Sequence, residues 1–228
     1  MSERIATTHS LQRLRVVVVV AAILLGSAPV SGLDYPETIR FHRLGPGEGL
    51  SQAVVTAVAQ DHAGFMWIGT QDGLNRFDGY DFRIFRHDPQ NPRSLSENRV
   101  SSLLVDSYGV LWVGTDNGGL NRFDHDTDDF TRFTHDPADS ASLGQDRVRA
   151  ISEDIHGALW IGTDGGGLSR FDPATESFLT FRHDPADHGS LSTDRIISLE
   201  VGPDDVLWIG TEGGGLNRMA SSPKGVFQ

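Results

Sequence analysis

The 228-residue chain has no cysteine, so no disulfide frames it and no thiol is present for a lipid anchor. Basic residues are scarce: 19 Lys and Arg face 31 Asp and Glu, for a formal charge of −12, which argues against nucleic acid as a partner. No amphipathic helical run follows residue 35, and no second hydrophobic span, phosphoacceptor domain or nucleotide-binding domain is recognisable. With helices set aside, 26 glycines and many short apolar-polar alternations point to an all-β chain rich in turns.

What is present begins with a leader. Arg4, Arg13 and Arg15 precede an apolar run from Val16 to Leu25, and small residues with Pro29 lead to Gly32. This is the order of a secretory signal peptide over residues 1–32, which implies a periplasmic or secreted domain; an uncleaved N-terminal membrane anchor is the alternative. Removing Glu3 and the three arginines leaves 30 acidic and 16 basic residues, a surface charge that suits solubility.

The remaining chain repeats. Trp67, Trp112, Trp160 and Trp208 lie 45, 48 and 48 residues apart, each followed by Ile or Val and then Gly-Thr. A period of this length, built of strands and glycine turns, predicts one four-stranded propeller blade per copy. Blade cores are expected at about 52–86, 97–134, 145–182 and 193–219 within a repeat region spanning 33–220, with a tail at 221–228. The first strand of each copy carries a small residue (Ala57, Ser102, Ala150 or Ser198) where blades crowd toward the axis. The Trp of the second strand, flanked by apolar residues, is expected to fill the space between sheets, with a partner for its ring N–H.

Three constellations tempt a chemical reading and are better read as structure. The turns at Asp61, Asp106 and Asp154 offer too few oxygens for calcium and suit Asp-x-x-Gly turn chemistry. Glycine groups such as Gly165-Gly166-Gly167 lead into a strand, not into the helix N-terminus that a phosphate loop needs. The three His-Asp-Pro sequences beginning at His87, His135 and His183 fall on separate blades and stop strands. No cofactor or metal is expected, and no catalytic residue. Repeat-breaking His62 and His188 are the first suspects if the chain is an enzyme.

The candidate binding residues precede the inner strands: Asn98-Arg99, Asp146-Arg147 and Asp194-Arg195, at one mouth of the central channel. Guanidinium groups there can hold a carboxylate or sulfate in bidentate fashion, so the expected ligand is a carbohydrate or other small anion; pairing of each Arg with a neighbouring Asp is the competing reading.

The pattern Asp-x-x-Gly, Leu-Trp-Ile/Val-Gly-Thr, Gly-Gly-Leu-x-Arg-Phe-Asp resembles the two-component regulator propeller repeat over about residues 41 to 219. The resemblance implies a periplasmic sensor module, the input half of a membrane-bound hybrid histidine kinase or related diguanylate cyclase, whose propellers are commonly larger. The implied function is ligand sensing or interaction without catalysis, as a truncated form of a longer receptor, with self-association or a membrane receptor as partner. A propeller-type polysaccharide lyase or hydrolase is the alternative. Residues 39–44 resemble an outer strand that could complete the last blade. Four blades then either close into a ring or form an open arc; the arc is expected, because a four-fold ring demands steeper angles between sheets.

Overall fold

The computed structural model describes residues 40–220; the expected leader and the 221–228 tail lie outside the described residues. The chain separates into two units, Met1–His42 and Arg43–Gln228. Of the first, Arg40, Phe41 and His42 are described, and they hold no strand. The second contains the repeats.

Each repeat folds as one antiparallel sheet in chain order. The first sheet is β1 (Val55–Gln60), β2 (Met66–Thr70), β3 (Gly73–Phe77) and β4 (Phe82–Phe85); the second is β5 (Val100–Val105), β6 (Leu111–Thr115), β7 (Leu120–Asp124) and β8 (Asp129–Phe133). The third is β9 (Val148–Glu153), β10 (Leu159–Thr163), β11 (Leu168–Asp172) and β12 (Ser177–Phe181). The fourth has three strands, β13 (Ile196–Val201), β14 (Val206–Thr211) and β15 (Gly215–Ala220).

The first turn of each of the first three blades does more than reverse the chain. Asp61 Oδ1 accepts the backbone N–H groups of Ala63 and Phe65, while Oδ2 accepts Trp67 Nε1 at 2.7 Å. Asp106 and Asp154 repeat this with Trp112 and Trp160 at 2.8 and 3.0 Å. One buried carboxylate thus fixes the turn and satisfies the indole donor that burial would otherwise leave unpaired. At the next turn the Thr hydroxyl of each Gly-Thr donates to a glycine carbonyl, from Thr70 to Gly73 and from Thr115 to Gly119 at 3.0 and 2.9 Å. Gly119 there has φ 75°, a conformation that side chains resist.

The apolar core lies between blades. Trp67, Leu74 and Phe85 of the first blade pack against Leu95, Val100, Leu111, Val113, Phe123 and Phe130 of the second. The same chemistry recurs between the second and third blades, around Trp112 and Phe171, and between the third and fourth, around Trp160 and Leu207. The rings meet edge-on across the first two junctions, with Trp67 and Phe123 centroids 4.8 Å apart and Trp112 and Phe171 5.2 Å apart. The glycine of Gly-Thr makes the close approach feasible: a Cβ on Gly162 would stand 2.5 Å from Ile196 Cγ2 of the next blade.

Successive inner strands pack in series, β1 on β5, β5 on β9 and β9 on β13. No packing of that extent joins β13 to β1 among the described residues, so the blades form an open arc. The expected outer strand at 39–44 is not formed: Arg40 to Leu44 hold no strand, and Ile39 lies outside the described residues. The chain that follows is tied to the first blade, with Leu50 buried and Ser51 bonded to Asn75 and Thr70. In an arc the last blade is not beside the first to receive it.

Candidate functional site

A β-bulge recurs at the start of every inner strand. In the first blade the register shifts between Val55 and Ala57, leaving Thr56 as the extra residue. Ser101, Arg149 and Ile197 are the extra residues in the other three. A bulge re-aims the side chain it inserts. All four of these residues line one cavity of about 370 Å³, together with Gln71, Arg99, Val100 and Asp116.

The cavity wall is charged. Asp116 and Asp164 each follow a Gly-Thr, at the position Gln71 and Glu212 hold in the other copies. Arg149 spans two of them, 2.8 Å from Asp164 and 3.7 Å from Asp116. Its Nε is buried and has no hydrogen-bond partner among the described residues. Arg99 lies 3.4 Å from Asp116. Hydrogen bonds from Arg149 foremost, then Arg195, hold the Asp164 carboxyl well below the usual carboxylate range, so it stays ionised and anchors its arginines.

The sequence-predicted residues divide. Arg99 lines the cavity, whereas Arg147 and Arg195 are engaged elsewhere. Arg147 contacts Asp164 at 3.3 Å and donates to the Asp116 carbonyl; Arg195 contacts Asp164 at 2.9 Å and Glu212 at 2.7 Å. Asn98, Asp146 and Asp194 serve the outer loops instead, accepting the backbone N–H of His87, His135 and His183 at 2.7, 2.7 and 2.6 Å. The ring Nδ1 of His87 faces the Leu95 carbonyl at 2.9 Å, and since a carbonyl only accepts, the ring nitrogen is the donor. His135 and His183 do the same with Leu143 and Leu191. His62 and His188 are both exposed.

Sequence reasoning missed Arg149, and a signal was available. The second inner-strand residue is Thr56, Ser101, Arg149 or Ile197, different in every copy, beside neighbours that repeat. A position free to vary inside a fixed scaffold is where a specific site can be written.

The two component regulator propeller model matches residues 49–72, 94–117 and 142–165. The chain is similar to Histidine kinase P4 of Formosa agariphila, 46% identical over 56 residues that make up 25% of this chain and 4% of that one. It also resembles two solved extracellular domains from B. thetaiotaomicron. One belongs to a hybrid two component system, with 28% identity, a TM-score of 0.73 and coverage of 82% of this chain and 26% of that one. The other belongs to a one component system, with 25% identity, a TM-score of 0.62 and coverage of 75% and 24%. The chain therefore spans about a quarter of the length of these solved relatives. Three of the four repeats thus carry a match to the two component regulator propeller model.

Proposed function

We propose that the arc is a periplasmic or extracellular sensing module of a two-component-type receptor, which binds a small anionic ligand and carries out no chemistry on it. The observation that carries this reading is the cavity lined by all four bulge residues, where the scaffold departs from its own repeat. Arg149 and Arg99 are its cationic groups, and Thr56, Ser101 and Gln71 supply neutral hydrogen-bonding groups. This mixture suits a carboxylated or sulfated sugar, whose hydroxyls need polar partners and whose anion needs a guanidinium. The kinship with extracellular domains of two component systems supports a sensor role, and the share of those proteins that is matched supports membership in a longer receptor. Output would then come from other segments or a partner.

The test is calorimetric titration with a panel of uronic-acid and sulfated oligosaccharides, each also assayed for cleavage. Binding without turnover, weakened at least about tenfold by Arg149→Ala at unchanged unfolding temperature, is the expected result. Turnover of any member would favour the lyase or hydrolase reading. Binding that Arg149→Ala leaves intact would remove the cavity from the account.

A further inference from the structure

One arginine of the second blade has no counterpart in the third, and the space it would fill is open. Arg132 on β8 and Thr180 on β12 hold the same place in their strands, opposite Asn121 and Ser169. Arg132 reaches into the loop that follows the first blade. Its Nε donates to the Ser94 carbonyl at 2.9 Å. One terminal nitrogen donates to the Asn91 carbonyl at 3.0 Å, to Ser94 Oγ at 2.8 Å and to the Leu95 carbonyl at 3.3 Å. The guanidinium is seated on three carbonyls and a hydroxyl, acceptors that a donor-rich planar group satisfies together.

The loop that follows the second blade presents the same floor to the third. It docks in the same manner: the Phe130 N–H donates to the Arg93 carbonyl at 2.7 Å, and the Phe178 N–H to the Ala141 carbonyl at 2.8 Å. Ser142 Oγ accepts the Asp136 N–H and donates to the Asp139 carbonyl, as Ser94 Oγ does with Asp88 and Asn91. Asp139, Ser142 and Leu143 therefore hold the places of Asn91, Ser94 and Leu95. Thr180 brings no N–H on its side chain, and its hydroxyl is bonded to Ser169 Oγ at 2.9 Å.

What remains is a cavity of about 260 Å³ whose lining includes Asp136, Asp139, Ser142, Leu143, Thr180 and Arg182. Arg182 does not take over the seat, because it donates to the Gly144 carbonyl at 2.9 Å, one residue beyond the acceptors that Arg132 uses in the preceding loop. Two carboxylates, Asp136 and Asp139, outnumber that one cation. The preceding loop has Asn91 at the place of Asp139, so the loop that lacks the arginine carries the extra negative charge.

We propose that this cavity binds an alkylguanidinium group of a ligand, which takes the seat that Arg132 occupies at the preceding junction. The group belongs either to a free small molecule or to an arginine side chain of a polypeptide, since both present the same planar fork of donors. The cavity shares no lining residue with the one around Arg149, and its ligand has the opposite charge.

Calorimetric titration of the full chain with agmatine tests the proposal. One molecule bound per chain is expected, with butylammonium, of equal charge on the binding group, at least about fivefold weaker, because an ammonium does not reproduce the fork. This comparison needs no variant. Thr180→Arg supplies the missing group from the chain itself and is expected to abolish agmatine binding while the unfolding temperature holds or rises. A blocked Gly-Arg-Gly peptide is titrated beside agmatine. Tighter binding of the peptide supports the proposal with polypeptide arginine as the source, and weaker binding supports it with a free small molecule. Absence of binding by both probes, butylammonium binding as tightly as agmatine, or unchanged agmatine binding by folded Thr180→Arg would overturn it.

Discussion

The third and fourth blades share the sequence of their second strand and have opposite surroundings. Leu159-Trp160-Ile161-Gly162-Thr163 and Leu207-Trp208-Ile209-Gly210-Thr211 differ at no position, yet Trp160 is 3% exposed and Trp208 38%. Leu168 is buried under the fourth blade, and Leu216 faces solvent. The turn differs too: Asp154 holds the Trp160 ring, whereas Gly202 stands at that place beside Trp208. Burial in this fold thus belongs to the junction rather than to the blade, as expected where each repeat stabilises its neighbour.

That contrast can be broken most forcefully at the leucines. Leu168→Ala opens a cavity in a filled junction and is expected to cost about 2–5 kcal/mol, against less than about 0.5 kcal/mol for Leu216→Ala in dilute solution. Urea unfolding of both variants measures the difference, and equal losses would mean that the last face is covered in the isolated chain. Next in size is Asp106→Ala, which strands the Trp112 ring N–H and the backbone N–H groups of Tyr108 and Val110. A loss of about 2–4 kcal/mol is expected, since several donors lose one acceptor together. A smaller loss would show that water replaces the carboxylate.

The smallest effect is electrostatic and sharpens the comparison at the cavity. Asp164, 9% exposed, gathers Arg147, Arg149 and Arg195, while Glu212 in the fourth copy is 53% exposed and pairs, among the described residues, with Arg195. Asp164→Asn is expected to cost about 1–2 kcal/mol at neutral pH, discounted because the arginines are half in solvent. The folded-state pKa of Asp164 is depressed, so its contribution is complete above the unfolded value of about 3.9 and fades as pH falls toward the folded value. Unfolding curves of the two proteins should therefore converge below about pH 4 and stay parallel above pH 5.

Much of the architecture was legible because every copy solves the same packing problem. The Trp, the Gly-Thr and the glycine turn repeat in register, and strands form where they alternate. Pairings across a copy were harder to see. Asp61 and Trp67 were each recognised, but their mutual bond needs the turn to fold one onto the other. Asn75 and Asn121 bond Ser51 and Ser96, and in the third copy both partners change together, to Ser169 and Gly144. That joint change was a readable trace of contact. Arg149 was hidden because its bulge arises from strand pairing, not from its own residue type. The strand expected at 39–44 failed for a different reason: a closing strand requires first and last blades to be neighbours, and no local pattern encodes that.

Acrylamide quenching of tryptophan fluorescence tests the junction account most directly. Three indoles are at most 3% exposed and one is 38% exposed, so a dilute solution should show one readily quenched component that Trp208→Phe removes. A quenchable fraction unchanged by Trp208→Phe, or shared evenly among the four tryptophans, would contradict the claim that the fourth blade carries an unfilled half-junction.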